Sequence, residues 1–271
     1  MTSTATPSLR AYCPHPSADL VRVGNPSDGG YVLPLAAIRA TQSLLSLGVE
    51  ADWSFEEGML ALNPPINMTC VDGTTGADVI HARVRRDLWQ SVRRLRGRKV
   101  MRLLRLLKRH EAFDAFFSTH DFKKLMVAAQ PGPGCATVDE LLACVRQGDP
   151  QRWVLLKMDI EGTEYDVLPA VADRLQWVAA LVVEFHSLDR NWSRFEAIMQ
   201  ALAPTFYVAH LHGNNNDPYV AGTQVPLTIE ITLVNRTLVN PLPPAATMQY
   251  PLAGLDAPNQ PRRPDMALDF T

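Results

Sequence analysis

Four short segments carry the side chains that could do chemistry. Asp159-Ile160-Glu161-Gly162 and Glu184-Phe185-His186 each end an apolar run, His210-Leu211-His212-Gly213-Asn214-Asn215 ends a third, and Asp28-Gly29-Gly30-Tyr31 precedes them all. Carboxylates and imidazoles gathered around one point can take a proton from a hydroxyl, because histidine titrates near 6.5 and a crowded carboxylate is tuned upward by its neighbours. On that logic His186 or Asp159 is the expected general base, with Glu184 beside them as a third catalytic group. Asp159, Glu184 and His212 are also ligand types for a divalent metal, but no fixed-spacing ligand motif accompanies them, and a metal-free base is favoured. Asn214, Asn215 and Asn216 offer amide donors and acceptors for ligand hydroxyls.

These groups need a scaffold that brings them together. β-rich runs occur at Ser43–Leu47, Ile66–Val71, Trp153–Met158, Ala180–Phe185, Phe206–Leu211 and Leu227–Val234, with helix-like segments at Val138–Val145, Glu164–Leu175 and Ser193–Leu202. Strands alternating with helices predict an α/β, doubly wound, mostly parallel sheet covered on both faces. The last two runs are joined by a polar loop without helical period, so they are expected as an antiparallel pair at one edge. In such sheets ligands bind beyond the carboxyl ends of the strands, where the acids and histidines fall.

The first strand end reads Ser46-Leu47-Gly48-Val49-Glu50-Ala51-Asp52-Trp53-Ser54. Gly48 permits close approach of a cofactor, and Ser54 is placed to cap the next helix. There is no Gly-x-Gly-x-x-Gly, and a pyrophosphate would meet Glu50 and Asp52, which counts against NAD or ATP. A cofactor without phosphate, carrying a sulfonium and an amine, suits an acidic rim; S-adenosylmethionine is that cofactor. Asp72, 24 residues beyond Gly48, ends the second strand, where a carboxylate can accept from both ribose hydroxyls. The expected cofactor-binding residues are Gly48, Glu50, Asp72, Asp159 and Glu161.

The stretch Leu156-Lys157-Met158-Asp159-Ile160-Glu161-Gly162-Thr163-Glu164-Tyr165 resembles the signature of the FkbM-type methyltransferases. The resemblance extends to Arg22-Val23-Gly24 with Asp28-Gly29-Gly30-Tyr31, to Ser46-Leu47-Gly48 with Ser54-Phe55-Glu56, to the Asp72 strand end, Val182-Val183-Glu184-Phe185-His186, the His210 to Asn215 segment, and Ile229-Glu230. It implies a seven-stranded, Rossmann-like class I methyltransferase sheet with an antiparallel edge strand, over a single domain spanning residues 1–240. It also implies an S-adenosylmethionine-dependent O-methyltransferase, with Asp28 and Tyr31 folded over cofactor or acceptor and Asp28, Tyr31, His212, Asn214 and Asn215 binding substrate. Members with this combination of motifs resemble those associated with surface glycan assembly, so the expected acceptor is a sugar or glycan hydroxyl. A polyketide-type acceptor and an inactive, methyltransferase-like scaffold are the alternatives. Where the family commonly has an aromatic residue, Asp and Pro, this chain has Val71-Asp72-Gly73.

The remaining features bound the class. The chain has 271 residues, 46% hydrophobic and 20% charged, which is globular composition, with a net charge of −2. From Arg83 to Arg109 there are twelve Lys or Arg against one acid, Asp87. Apolar residues recur there at helical spacing, so a basic helical insertion near 81–110 is expected, either a solvated surface or a face for an anionic carrier. Nothing in it favours nucleic acid. Residues 241–271 hold seven of 21 prolines and read as an irregular tail. The four cysteines are widely spaced, no apolar run is long enough to span a bilayer, and the first residues lack a signal-peptide pattern, so a cytoplasmic protein is expected.

Overall fold

The computed structural model describes residues 6–50, 52–75, 111–246 and 248–271. The basic stretch from Arg83 to Arg109 lies outside the described residues.

The chain opens with a hairpin, β1 (Leu20–Gly24) and β2 (Gly30–Pro34), followed by α1 (Leu35–Ala40), β3 (Ser43–Leu47), α2 (Ser54–Leu62) and β4 (Asn67–Val71). Next come β5 (Asp121–Lys123), β6 (Met126–Val127), β7 (Cys135–Ala136), α3 (Val138–Arg146), β8 (Val154–Met158) and α4 (Glu164–Val171). The last elements are β9 (Val178–Phe185), α5 (Leu188–Leu202), β10 (Phe206–Gly213) and β11 (Ile229–Asn235). Seven strands form one sheet in the order β10-β11-β9-β8-β3-β4-β5. Pairing is parallel from β9 through β5, whereas β11 runs antiparallel to both β9 and β10. The antiparallel pair is therefore at the edge, and its reversed strand sits inside β10.

Burial on both faces explains why the strands are continuous apolar runs. Successive residues of a strand point to opposite faces. Leu45, Leu47, Leu156, Met158, Leu181 and Val183 thus join one core with α3, α4 and α5, while Leu44, Leu155, Ala180 and Val182 join the other with the hairpin, α1 and α2. Helix α3 starts at a capping box, in which Thr137 and Glu140 satisfy each other's backbone N–H groups. At α2 the expectation fails. Ser54 is the first helical residue, and the carboxylate of Asp52 accepts its backbone N–H at 3.0 Å. A carboxylate two residues upstream reaches the exposed N–H, while the Ser54 hydroxyl is buried without a partner.

The proline-rich segment after Asn240 lies against the domain. Tyr250, Met266, Leu268 and Phe270 are buried, and the Tyr250 and Phe270 rings pack 5.6 Å apart. No helix among the described residues is long and apolar enough to cross a membrane.

Candidate functional site

The carboxyl ends of β3, β4 and β8 converge on Gly48. The Gly48 N–H donates to the Val71 carbonyl at 2.9 Å, and the Asp159 N–H donates to the Leu47 carbonyl at 3.0 Å, so three strand ends are tied together. Gly48 has φ +77°, and a Cβ built on it would lie 1.6 Å from the Asp159 carbonyl oxygen. Beside this crossing is a cavity of about 210 Å³ bounded by Gly48, Glu50, Asp72, Met126, Asp159 and Glu161. Its rim is acidic, and Met126, 47% exposed, adds an apolar surface. Burial, then the charges of Asp159, Glu161 and Asp72, raise Glu50 above the ordinary carboxylate value.

Asp72 does more than end a strand. One carboxylate oxygen accepts from the Val49 and Glu50 N–H groups at 3.1 and 2.7 Å; the other accepts from the Thr74 N–H and hydroxyl and the Thr75 N–H. It holds the Gly48–Glu50 loop against its own strand end, and its lone pairs are spent there. Glu50 and Glu161, on the cavity rim, are exposed carboxylates.

The second cluster forms where β8 and β9 end. His186 directs Nδ1 to Glu164 Oε1 at 2.8 Å and Nε2 toward Asp159 Oδ1, Glu161 Oε2 and Glu184 Oε1 at 3.8, 3.7 and 3.7 Å. Glu164, in the first turn of α4, is fully buried. Burial works against the imidazolium, but the Glu164 hydrogen bond and the charges of Glu184, Glu164 and Asp159 outweigh it and hold His186 up at about 9. An imidazolium has no free lone pair, so at neutral pH the proton acceptors left in this cluster are carboxylates. Burial, then Asp159 and Glu230, push Glu184 well above the usual range, and Asn214 donates to its Oε1 at 2.8 Å. Tyr31, brought in by the hairpin, donates its hydroxyl to Asp159 Oδ2 at 3.2 Å. Burial and the Asp159 charge raise its phenol, which keeps it a neutral donor.

The other expected substrate residues are engaged by the tail. His212 sits between Glu230 Oε2 at 3.1 Å and Asp265 Oδ1 at 3.0 Å, so both ring nitrogens have partners and His212 is not grouped with Asp159 and Glu184. Asn215 accepts from the Gln260 N–H at 2.7 Å and donates to the Pro264 carbonyl at 3.1 Å. Asn259 donates to Glu230 Oε1 at 2.7 Å and Asp28 Oδ1 at 3.1 Å, linking the tail to the Asp28 turn. Sequence reasoning missed Glu164, Asn259 and Asp265. Glu164 could have been found as an acid opening a helix directly after the motif; the tail residues carry no local signal.

These contacts make the tail's attachment pH-dependent. Burial lowers His212, but Glu230 and Asp265 raise it to about 10, against about 6.5 in an unfolded chain. A raised folded pKa gives stability that is complete below about 6.5 and is lost as pH rises through about 10. Asp265→Asn is expected to shrink the part of the unfolding-temperature loss that wild type shows between those limits. Superimposable pH profiles for the two proteins would refute the assignment.

A doubly wound sheet whose reversed strand β11 lies between β9 and the edge strand β10, with an acid-rimmed cleft where a phosphate loop would otherwise be, defines the class I methyltransferase fold. Residues 116–213, from before β5 to the end of β10, match the family model of the methyltransferase FkbM domain. No curated protein sequence matches the chain. Among solved structures it is similar to the Methanococcus jannaschii fibrillarin pre-rRNA processing protein, at 10% identity and TM-score 0.36, covering 73% of this chain and 68% of that one. It is also similar to precorrin-6y C5,15-methyltransferase from Geobacter metallireducens, at 11% identity and TM-score 0.36, covering 74% and 85%. A predicted O-methyltransferase from Agrobacterium tumefaciens shows 13% identity and TM-score 0.35, covering 74% and 78%. At TM-scores this low the strand order itself carries the fold assignment.

Proposed function

We propose that the protein is an S-adenosylmethionine-dependent O-methyltransferase acting on a hydroxyl of a sugar or glycan. The observation that carries this reading is the Gly48 crossing. It opens an acid-rimmed cavity directly against the Asp159, Glu184 and His186 cluster, so a cationic nucleoside and a proton-accepting site share Asp159. The residues fit the cofactor: Glu50 and Glu161 would supply carboxylates for its amine and hydroxyls, Met126 and Leu125 would supply apolar surface for its base, and no basic or glycine-rich phosphate cradle is present in this cavity lining. When bound, the cofactor supplies a methyl carbon already activated by its sulfonium.

The chain then has to align the acceptor and remove its proton. Asp159 is the proposed base, with Oδ2 oriented by Tyr31 and Oδ1 facing the cluster. Glu184, held by Asn214, and the charged His186 set the polarity on the acceptor side. The Asp28 carboxylate, bridged to Asn259, would offer an acceptor for a hydroxyl of a polyhydroxyl substrate.

The test is calorimetric titration with S-adenosylmethionine and S-adenosylhomocysteine, followed by a screen of glycan acceptors. Binding at micromolar Kd, about −8 kcal/mol, is expected. In Asp72→Ala it should be lost together with a fall in the unfolding temperature of the ligand-free protein, because five backbone or hydroxyl donors of the loops lose their acceptor. A residue that only contacts ribose would leave the ligand-free unfolding temperature unchanged. No binding of either ligand by wild type would overturn the reading and favour a scaffold.

A further inference from the structure

We infer that Asp159, Glu184 and His186 form a site for one divalent cation, with Glu164 as the buried carboxylate that aims His186 into it. The role of the ion in orienting an acceptor hydroxyl rests on the methyltransferase proposal; the binding itself does not. Each of the three residues offers one ligand atom, and these atoms all lie within 4.8 Å of one another. Nε2 stands at 3.8 and 3.7 Å from Asp159 and Glu184, with Glu161 at 3.7 Å on the open side, beyond hydrogen-bond distance of all three. Ligands bound at about 2.0–2.5 Å to one ion are separated from each other by roughly 3–4 Å, so the gap has the size of a cation.

The imidazole supplies the independent observation. Its Nδ1 is locked by Glu164, whose carboxylate is completely buried and whose second oxygen has no hydrogen-bond partner. Burying a carboxylate solely to fix a ring is costly, and a carboxylate behind a histidine is how metal-binding imidazoles are oriented. Glu184, itself 6% exposed, is fixed by Asn214, which leaves the two acids and the ring converging from different strand ends. The nearby cation Lys157 donates to the Gly48 carbonyl. The ion would take the place of the Nε2 proton. One imidazole and two carboxylates, open on the Glu161 side, suit Mn²⁺ or Mg²⁺ completed by water or acceptor oxygens more than a closed zinc site. His212, the nitrogen ligand expected from sequence, is excluded because both its nitrogens are engaged.

The full chain, stripped with EDTA and free of cofactor, would be titrated with Mn²⁺ by calorimetry and by the loss of the free-ion EPR signal. One Mn²⁺ per chain is expected, with His186→Gln and Glu184→Gln each weakening it about 10–100-fold. Both variants should still bind S-adenosylmethionine, which shows that they are folded. No Mn²⁺ binding at millimolar concentration, or binding that neither substitution changes, overturns the site. Cofactor binding without Mn²⁺ binding removes the cation and leaves the methyltransferase reading; Mn²⁺ binding without cofactor binding does the reverse.

Discussion

Gly48→Ala is expected to abolish S-adenosylmethionine binding and to lower the unfolding temperature by about 8 °C or more. Two penalties act at once. A non-glycine residue at φ +77° costs on the order of 1–3 kcal/mol. The added Cβ would also lie 1.6 Å from the Asp159 carbonyl oxygen, a backbone atom with no side-chain freedom to move away. Relief requires β3 and β8 to part at their carboxyl ends, which breaks the bond from the Asp159 N–H to Leu47 and distorts the loop that Asp72 clamps. A total near 3–4 kcal/mol corresponds to the stated shift for a chain of this size. Gly162→Ala is the control: its φ is +97°, but nothing lies within 4 Å of the new Cβ, so only the backbone penalty applies. Thermal unfolding and cofactor titration of both variants make the comparison. Equal effects would mean that conformation, not the crossing, governs Gly48.

The contrast between what was legible and what was not follows contact range. The parallel strands were readable because each is buried on both faces and must be a continuous apolar run, and Asp159, Glu184 and His186 were readable because such runs end at the ligand side. Asp121–Lys123 was not: a three-residue edge strand, half exposed and carrying two charges, has no period to detect. The hairpin was seen only as a turn at Asp28-Gly29-Gly30, since its strands are short and their register depends on β11, where Thr232 donates to the Val32 carbonyl. Asp72 was correctly placed but its partners were not, because which N–H groups fill a carboxylate is decided by the fold of two loops. His212 looked like a ligand until Asp265, 53 residues later, occupied its second nitrogen. Pairings of that range leave no trace in spacing.

Asp159→Asn is expected to lower kcat by about 10²–10⁴, the range for loss of a positioned general base, while cofactor affinity changes far less. The substitution is nearly isosteric, so Tyr31 keeps an acceptor and the Gly48 crossing keeps its backbone contacts. What disappears is the charge, and with it the capacity to receive a proton. His186 cannot replace it at neutral pH, because Glu164, Glu184 and Asp159 together hold the imidazole charged up to about 9. Removing Asp159 withdraws one of those charges, yet the Glu164 hydrogen bond persists, so the ring stays a poor base in the variant. Tyr31→Phe separates orientation from chemistry: it removes only the hydrogen bond to Oδ2 and is expected to cost about tenfold or less in kcat, with the pH profile unmoved. The measurement is single-turnover methyl transfer to an active acceptor, with cofactor affinity determined in parallel. A turnover rate in Asp159→Asn equal to that of wild type would remove Asp159 from the chemistry and shift the role to Glu184, the other carboxylate of the cluster, whose burial beside Asp159 and Glu230 already raises its affinity for a proton.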